Sequence, residues 1–149
     1  MYIQTKYMGS VEVDPSKILY FSSGLPGFIE EKEFVLLNTA ENSVFQILQS
    51  ADTPEIAFVV VNPYYFYQNY VFDLDENLLN GLSITDAEDV MVLAIVTVRK
   101  PFAESTLNLK APIIINSQNQ QGKQYILNTD SYPSKAAITL PDSASVKGE

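Results

Sequence analysis

The sequence predicts a mostly-β, single-domain fold: an antiparallel β-barrel-like arrangement with one or two short helical segments, or, as the alternative closure, a two-sheet β-sandwich. Three observations lead there. Short runs rich in β-branched and aromatic residues recur about nine or ten times, with turn-forming residues every 8 to 12 positions. Only one stretch has convincing helical spacing. An apolar fraction of 46% over 149 residues is enough for one core without disulfides or a structural metal.

In chain order, Tyr2 to Thr5 and Gly9 to Val13 read as a first pair of short strands, and Ile18 to Phe21 follows the turn signal Asp14-Pro15-Ser16. In the loop Ser22-Ser23-Gly24-Leu25-Pro26-Gly27, Pro26-Gly27 suits the centre of a type II turn, with positive φ at Gly27 and Phe28 dropping into the core. Strands are predicted at Glu33 to Asn38, Phe45 to Gln49 and Ala57 to Val61; the apolar run Phe58-Val59-Val60-Val61 suggests burial on both faces. Tyr70 to Asp73 reads as a short extension. Asp73-Leu74-Asp75-Glu76 has capping-box spacing, with Asp73 as N-cap, Leu78, Leu79 and Leu82 on one face, and Gly81 as the left-handed stop. Thr85-Asp86-Ala87-Glu88 repeats the spacing, for a single turn. Val90 to Val98 is predicted as a central strand buried on both faces, ended by Pro101. Leu107 to Leu109 is a short strand or bridge, and Pro112 to Asn116 and Gln124 to Asn128 flank a glycine-containing hairpin loop. Asn108 and Asn116, close to Pro112, are expected to satisfy loop backbone groups. The domain is expected to span residues 1–130, and 131–149 to form a partly disordered tail that has little to bury after Pro141.

Composition narrows the function. Cysteine and histidine are both absent, which removes thiolate chemistry, Ser-His-Asp catalysis and the usual zinc ligands. There is no 18-residue apolar run, and the opening residues lack a charged segment leading into an apolar core; a cytoplasmic chain off the membrane is therefore expected. Net charge is −9, and its distribution is uneven: residues 33–98 hold ten acids and no Lys or Arg, whereas the remainder nets +1. Such a chain repels polyanions, so direct nucleic-acid binding is not expected.

The candidate sites follow from that segment. Asp73, Asp75 and Glu76 could be catalytic carboxylates or hard-metal ligands. Adjacent helix-cap acids, however, seldom face each other across the roughly 5 to 9 Å that carboxylate hydrolysis needs. Asp86, Glu88 and Asp89 lack calcium-loop spacing. The segment Asn62 to Tyr70 packs five aromatics into nine residues. Tyr64, Tyr65, Tyr67 and Tyr70 could anchor a protein interface, fill the core, or form a sugar-stacking platform. Gly24, Pro26, Gly27, Phe28, Asn108, Pro112 and Asn116 read as structural. No cofactor, metal or catalytic residue is assigned. The favoured reading is a non-enzymatic protein binder, with a carbohydrate-binding module and a carboxylate-dependent hydrolase as alternatives.

Three stretches, in this order and spacing, resemble the flagellar assembly factor FliW family. They are Phe21-Ser22-Ser23-Gly24-Leu25-Pro26-Gly27-Phe28 followed by Phe34; Asp89 to Val98 with the preceding Leu82-Ser83-Ile84; and Leu107 to Asn116 continued by Gln124-Tyr125-Ile126-Leu127. The resemblance implies a β-barrel-like fold, no catalysis, and two protein partners: flagellin and the RNA-binding translational regulator CsrA. It implies that the protein, once released from flagellin, binds CsrA and relieves repression of flagellin translation, coupling flagellin synthesis to secretion. The family motifs do not spell partner-binding residues. The acidic, aromatic segment supplies the expectation instead: Tyr64, Tyr65, Tyr67, Tyr70, Asp73, Asp75 and Glu76 at the partner interface.

Overall fold

Strand pairing carries the architecture. The computed structural model describes residues 1–41 and 43–138. Its strands are β1 (Tyr2–Gln4), β2 (Ser10–Glu12), β3 (Leu19–Tyr20), β4 (Glu33–Asn38), β5 (Phe45–Ser50), β6 (Ala57–Val61), β7 (Val90–Thr97), β8 (Thr106–Leu107), β9 (Ile113–Asn116), β10 (Gln121–Gln124) and β11 (Ala136–Ala137). One helix, α1 (Glu76–Gly81), and several single 3-10 turns complete the described residues. β1 and β2 form a separate hairpin-like pair. The others form one sheet in the order β11-β8-β7-β6-β5-β4-β3-β10-β9, and a further β7–β9 pairing closes seven of them into a ring of hydrogen bonds. The fold is thus mostly β and barrel-like, as expected. The sheet is mixed, not wholly antiparallel, because β10 meets β3 in parallel at Gln121 and Tyr20.

Alternation of side chains across the strands divides the apolar residues into layers. Leu19, Phe34, Leu48, Val60, Leu93, Ile113 and Ile115 come from six strands of the ring and pack with Phe21 and Leu25 as its inner core. The opposite faces are covered in patches. Ile3 of β1 and Val13, just after β2, lie over Val35, Leu37 and Ile47. Tyr70, Leu109, Leu127 and Ala136 cover Val61, Ala94 and Val96. Leu78 of α1 and Leu82 just after it sit on Ile114 of β9. Covering both faces explains the near-continuous apolar runs of β6, β7 and β9.

Several expectations are corrected in detail. β7 is central, but its first half is not buried on both faces: Met91 is 39% exposed. Phe28 does not enter the core; it is also 39% exposed and packs edge-on against Phe58, while Leu25, at 1%, takes the buried place. The turn itself is as expected. The Phe28 amide donates to the Leu25 carbonyl at 2.7 Å, and Gly27 has φ +85°. Tyr70 to Asp73 makes no ladder. The last hairpin has a shorter loop than expected, Ser117 to Gln120, so its second strand is Gln121–Gln124. Residues 131–138, assigned to the tail from the sequence, run along the sheet, where Ala136 pairs with Leu107. The part of the tail beyond Pro141, expected to fray, lies outside the described residues.

Candidate protein-binding site

The region around α1 gathers most of the acids and aromatics singled out in the sequence. The helix starts at Asp75, not Asp73: the Asp75 Oδ1 accepts from the Leu78 amide at 2.8 Å, and Glu76 occupies the first turn. An acidic cap satisfies an otherwise unpaired N–H and sits favourably at the positive end of the helix. Tyr125 donates its hydroxyl to the other Asp75 oxygen at 3.2 Å. Partial burial, and then the Asp75 charge, hold the Tyr125 phenol above its ordinary pKa. The stop is not Gly81, which lies inside the helix. Ser83 takes the left-handed conformation with φ +54°, and the Ile84 and Ser83 amides donate to Leu79 and Asn80 carbonyls at 2.8 and 3.2 Å. That pair of hydrogen bonds is a Schellman stop. Asn116, only 2% exposed, then fixes this corner, donating through Nδ2 to the carbonyls of Leu82 and Ser83 while its Oδ1 accepts from Gln118. Asn108 likewise accepts from the Ala111 amide at 3.0 Å. Both asparagines therefore serve loop backbone, as expected, and Asp86 caps a single 3-10 turn through the Glu88 amide.

The four tyrosines do not act together. Pro63 opens a 3-10 turn capped by Asn62, which sends the chain off the line of β6. Tyr70 is buried at 1% exposure, its hydroxyl donating to the Leu109 carbonyl at 2.6 Å and its ring edge-on to Tyr132 at 4.7 Å. Burial, followed by the neighbouring Tyr64 and Tyr132, pushes its phenol pKa well up. Tyr64 is half-buried against Tyr70, and burial raises its phenol too. Tyr67 is half-buried and donates to the Ala137 carbonyl. Tyr65 alone is mostly open, at 53%. The four rings therefore differ in exposure, with Tyr70 in the core and Tyr65 mostly open. Tyr70 and Tyr67 hold residues 109 and 137 onto the sheet.

What does open to solvent beside the acids is an apolar hollow of about 570 Å³ between α1 and the start of β7, lined by Val71, Phe72, Leu74, Leu79, Ile84, Val90 and Val92. Val71 stands on its rim, 72% exposed. Asp86 lines the same hollow, and Glu88 a neighbouring one that shares Tyr64, Val90 and Val92. On the other side of Val71 and Phe72, a more polar hollow is lined by Asp73, Asp75, Tyr125 and Tyr132. No Lys or Arg lines any of these hollows among the described residues. Asp73, Asp75 and Glu76 are solvent-exposed. Among the described residues, no three acids converge as a metal cage would require.

A matching scaffold exists among known proteins. A solved chain described as "Crystal structure of the flagellar assembly factor FliW" superposes with a TM-score of 0.88 at 43% identity, covering 93% of this chain and 96% of that one. The FliW protein family profile matches residues 2–138. The chain belongs to the FliW family. The flagellar assembly factor FliW of Oceanobacillus iheyensis is 52% identical over 141 residues, 95% of this chain and 96% of that protein. The FliW of Bacillus subtilis is 46% identical over 138 residues, 93% and 96% of the two chains. FliW is a non-enzymatic assembly factor, and the acids of this surface accordingly serve something other than hydrolysis. No helix among the described residues is long and apolar enough to cross a membrane.

The aromatic cluster was visible in the sequence; the hollow was not. Val71, Leu74, Leu79 and Ile84 are spread over a coil, a helix and a loop and share no period. Only the run of acids on either side of them, from Asp73 to Asp89, marked the region.

Proposed function

We propose that this FliW-family chain works in the cytoplasm by binding flagellin and the RNA-binding translational regulator CsrA. Antagonism of CsrA by the chain released from flagellin couples flagellin translation to flagellin secretion. The observation that carries the reading is an apolar hollow lined by Asp86 and flanked by two others, one lined by Glu88 and one by Asp73 and Asp75, with no basic residue in any of the three linings among the described residues. An RNA-binding partner carries positive surface, because it must neutralise phosphates. Such a surface is drawn to this face and held there by apolar contact, since charge gives encounter rate and apolar anchors give residence. The bound acids then repel approaching RNA without filling its groove. The buried Tyr70 leaves the sequence-based set of anchors; Tyr65, Val71 and the hollow's walls replace it.

The test measures CsrA association against salt, for the parent protein and for Asp73→Asn/Asp75→Asn/Glu76→Gln. Asn keeps the cap at position 75 through its Oδ1 and turns an Nδ2 donor toward the exposed Tyr125 hydroxyl oxygen in place of the carboxylate acceptor, so the fold is retained while the charge is removed. The expected outcome is slower association with added salt for the parent, since exposed charges are screened beyond roughly 8 Å at physiological ionic strength. The variant should associate more slowly and respond less to salt. Equal rates for both proteins at every salt concentration would place CsrA elsewhere.

A further inference from the structure

Strand β7 is hydrogen-bonded along one edge from end to end, and along the other only in part. In an antiparallel strand, residues whose N–H and C=O face one neighbour alternate with residues facing the other. The carbonyls of Asp89 and Ile95 accept from the Ser117 and Asn108 amides at 2.8 and 2.9 Å, on the β8–β9 side. Odd-numbered residues of β7 therefore face β8 and β9; Val90, Val92 and Ala94 face β6. Ala94 is opposed by Val61, where β6 ends. One rung further on, Val92 would be opposed by Pro63. Proline has no N–H to donate, and the Pro63 carbonyl already accepts from the Phe66 and Tyr67 amides at 3.0 and 2.9 Å. The Val92 amide and carbonyl are thus left facing an edge that no strand among the described residues occupies.

We propose that this edge is a strand-addition site. An extended segment of a protein partner, with alternating apolar side chains and flanking Lys or Arg, lies along Val90 to Leu93 and bonds the Val92 backbone. The proposal rests on the reading that this acidic face meets protein partners, and adds the form in which one of them is held. Room exists for it. Two hollows of about 350 and 320 Å³ meet at Asn62, Met91 and Val92, placed to take side chains that alternate along an added strand. The walls supply apolar contact from Val90 and Met91, with Tyr65 at one end. Charge selects the flanks, because Glu88 lines one hollow, Asp86 the adjoining one, and no Lys or Arg lines any of them among the described residues. A second copy of this chain, itself of net charge −9, would set the same acids against this edge, so self-pairing is disfavoured. A short edge guarded by acids is also how proteins keep open strands from aggregating.

The experiment is amide exchange and NOE spectroscopy on the isotope-labelled full chain, alone and with unlabelled CsrA or unlabelled flagellin. Alone, the Val92 amide should exchange faster than those of Met91 and Leu93, which bond β9. In complex with one of the two partners it should slow at least about tenfold, with intermolecular NOEs from the backbone Hα of Met91 or Leu93 to an extended partner segment. Complexes with both proteins in which Val92 exchange is unchanged, or in which a partner helix lies in the hollow, would overturn strand addition and leave the functional reading standing. Failure to bind either protein would overturn both. Concentration-dependent slowing of Val92 without a partner would assign the edge to a second copy and overturn the proposed occupant.

Discussion

Alanine at Gly24 should cost far more than alanine at Gly27, although both glycines lie in the same six-residue hairpin with positive φ, +65° and +85°. An L-residue forced into this region costs about 1–2 kcal/mol, so the two substitutions share that part. They also share the small gain from a stiffer unfolded chain. Space separates them. A Cβ on Gly27 would meet nothing within 4 Å, whereas one on Gly24 would sit 2.5 Å from the Ile29 carbonyl oxygen and 2.6 Å from its carbon and Cα. Those atoms are backbone, so relief requires the two arms of the hairpin to part. Leu25, 1% exposed in the inner core, moves with them. The expected losses are about 1 kcal/mol for Gly27→Ala and about 3 kcal/mol or more for Gly24→Ala. Urea unfolding measures both. With a slope of roughly 1–3 kcal/mol per molar, the Gly24 variant should unfold at least about 1 M earlier than the parent at unchanged slope. Losses within about 0.5 kcal/mol of each other would refute the steric argument, leaving conformational preference as the only effect.

Tyr70→Phe removes the hydroxyl that donates to the Leu109 carbonyl at 2.6 Å, and should cost about 1–2 kcal/mol in denaturant unfolding. The same site makes stability fall in alkali. Because burial raises the folded-state pKa of Tyr70, the unfolded chain loses this proton first, from about pH 10 upward; folding then binds a proton, and stability declines as pH rises. Unfolding midpoints from pH 9 to 11 should fall less steeply for Tyr70→Phe than for the parent, and parallel slopes would exclude Tyr70 as their source. Ser83→Gly relieves a left-handed serine at the helix stop and should raise the melting temperature by about 2–4 °C; no change, or a decrease, would mean that the Ser83 conformation is not strained.

The elements whose local signal and tertiary role agree were legible in the sequence. β4 and β6 have the bounds their runs of apolar residues predict, and Gly27 has the positive φ that a Pro-Gly turn demands. Where neighbouring residues could perform the same local task, only packing decided between them. Asp73 and Asp75 can both cap a helix; Asp75 does so because its second oxygen meets Tyr125, fifty residues away. Gly81 is the better left-handed residue, but Ser83 takes that conformation because Asn116 holds the carbonyls of Leu82 and Ser83 from the end of β9. Neither contact leaves a trace in local spacing.

The aromatic segment resisted reading for a related reason. Strand alternation would have buried about half of its rings, yet Pro63 breaks the strand before alternation applies. Once the chain turns there, each tyrosine is placed by what lies across from it: Tyr70 by Leu109, Tyr67 by Ala137, Tyr64 by Tyr70 itself. The proline that makes these residues hard to place also gives the face its opening. Had residue 63 carried an amide in extended conformation, β6 could have continued along Val92 and closed that edge of β7. Because it cannot donate, the ring of strands stays closed elsewhere and open at the point where an apolar hollow and a base-free stretch of chain meet. A single residue type thus ends a strand, redirects the tyrosines and exposes the backbone on which partner binding is proposed to depend.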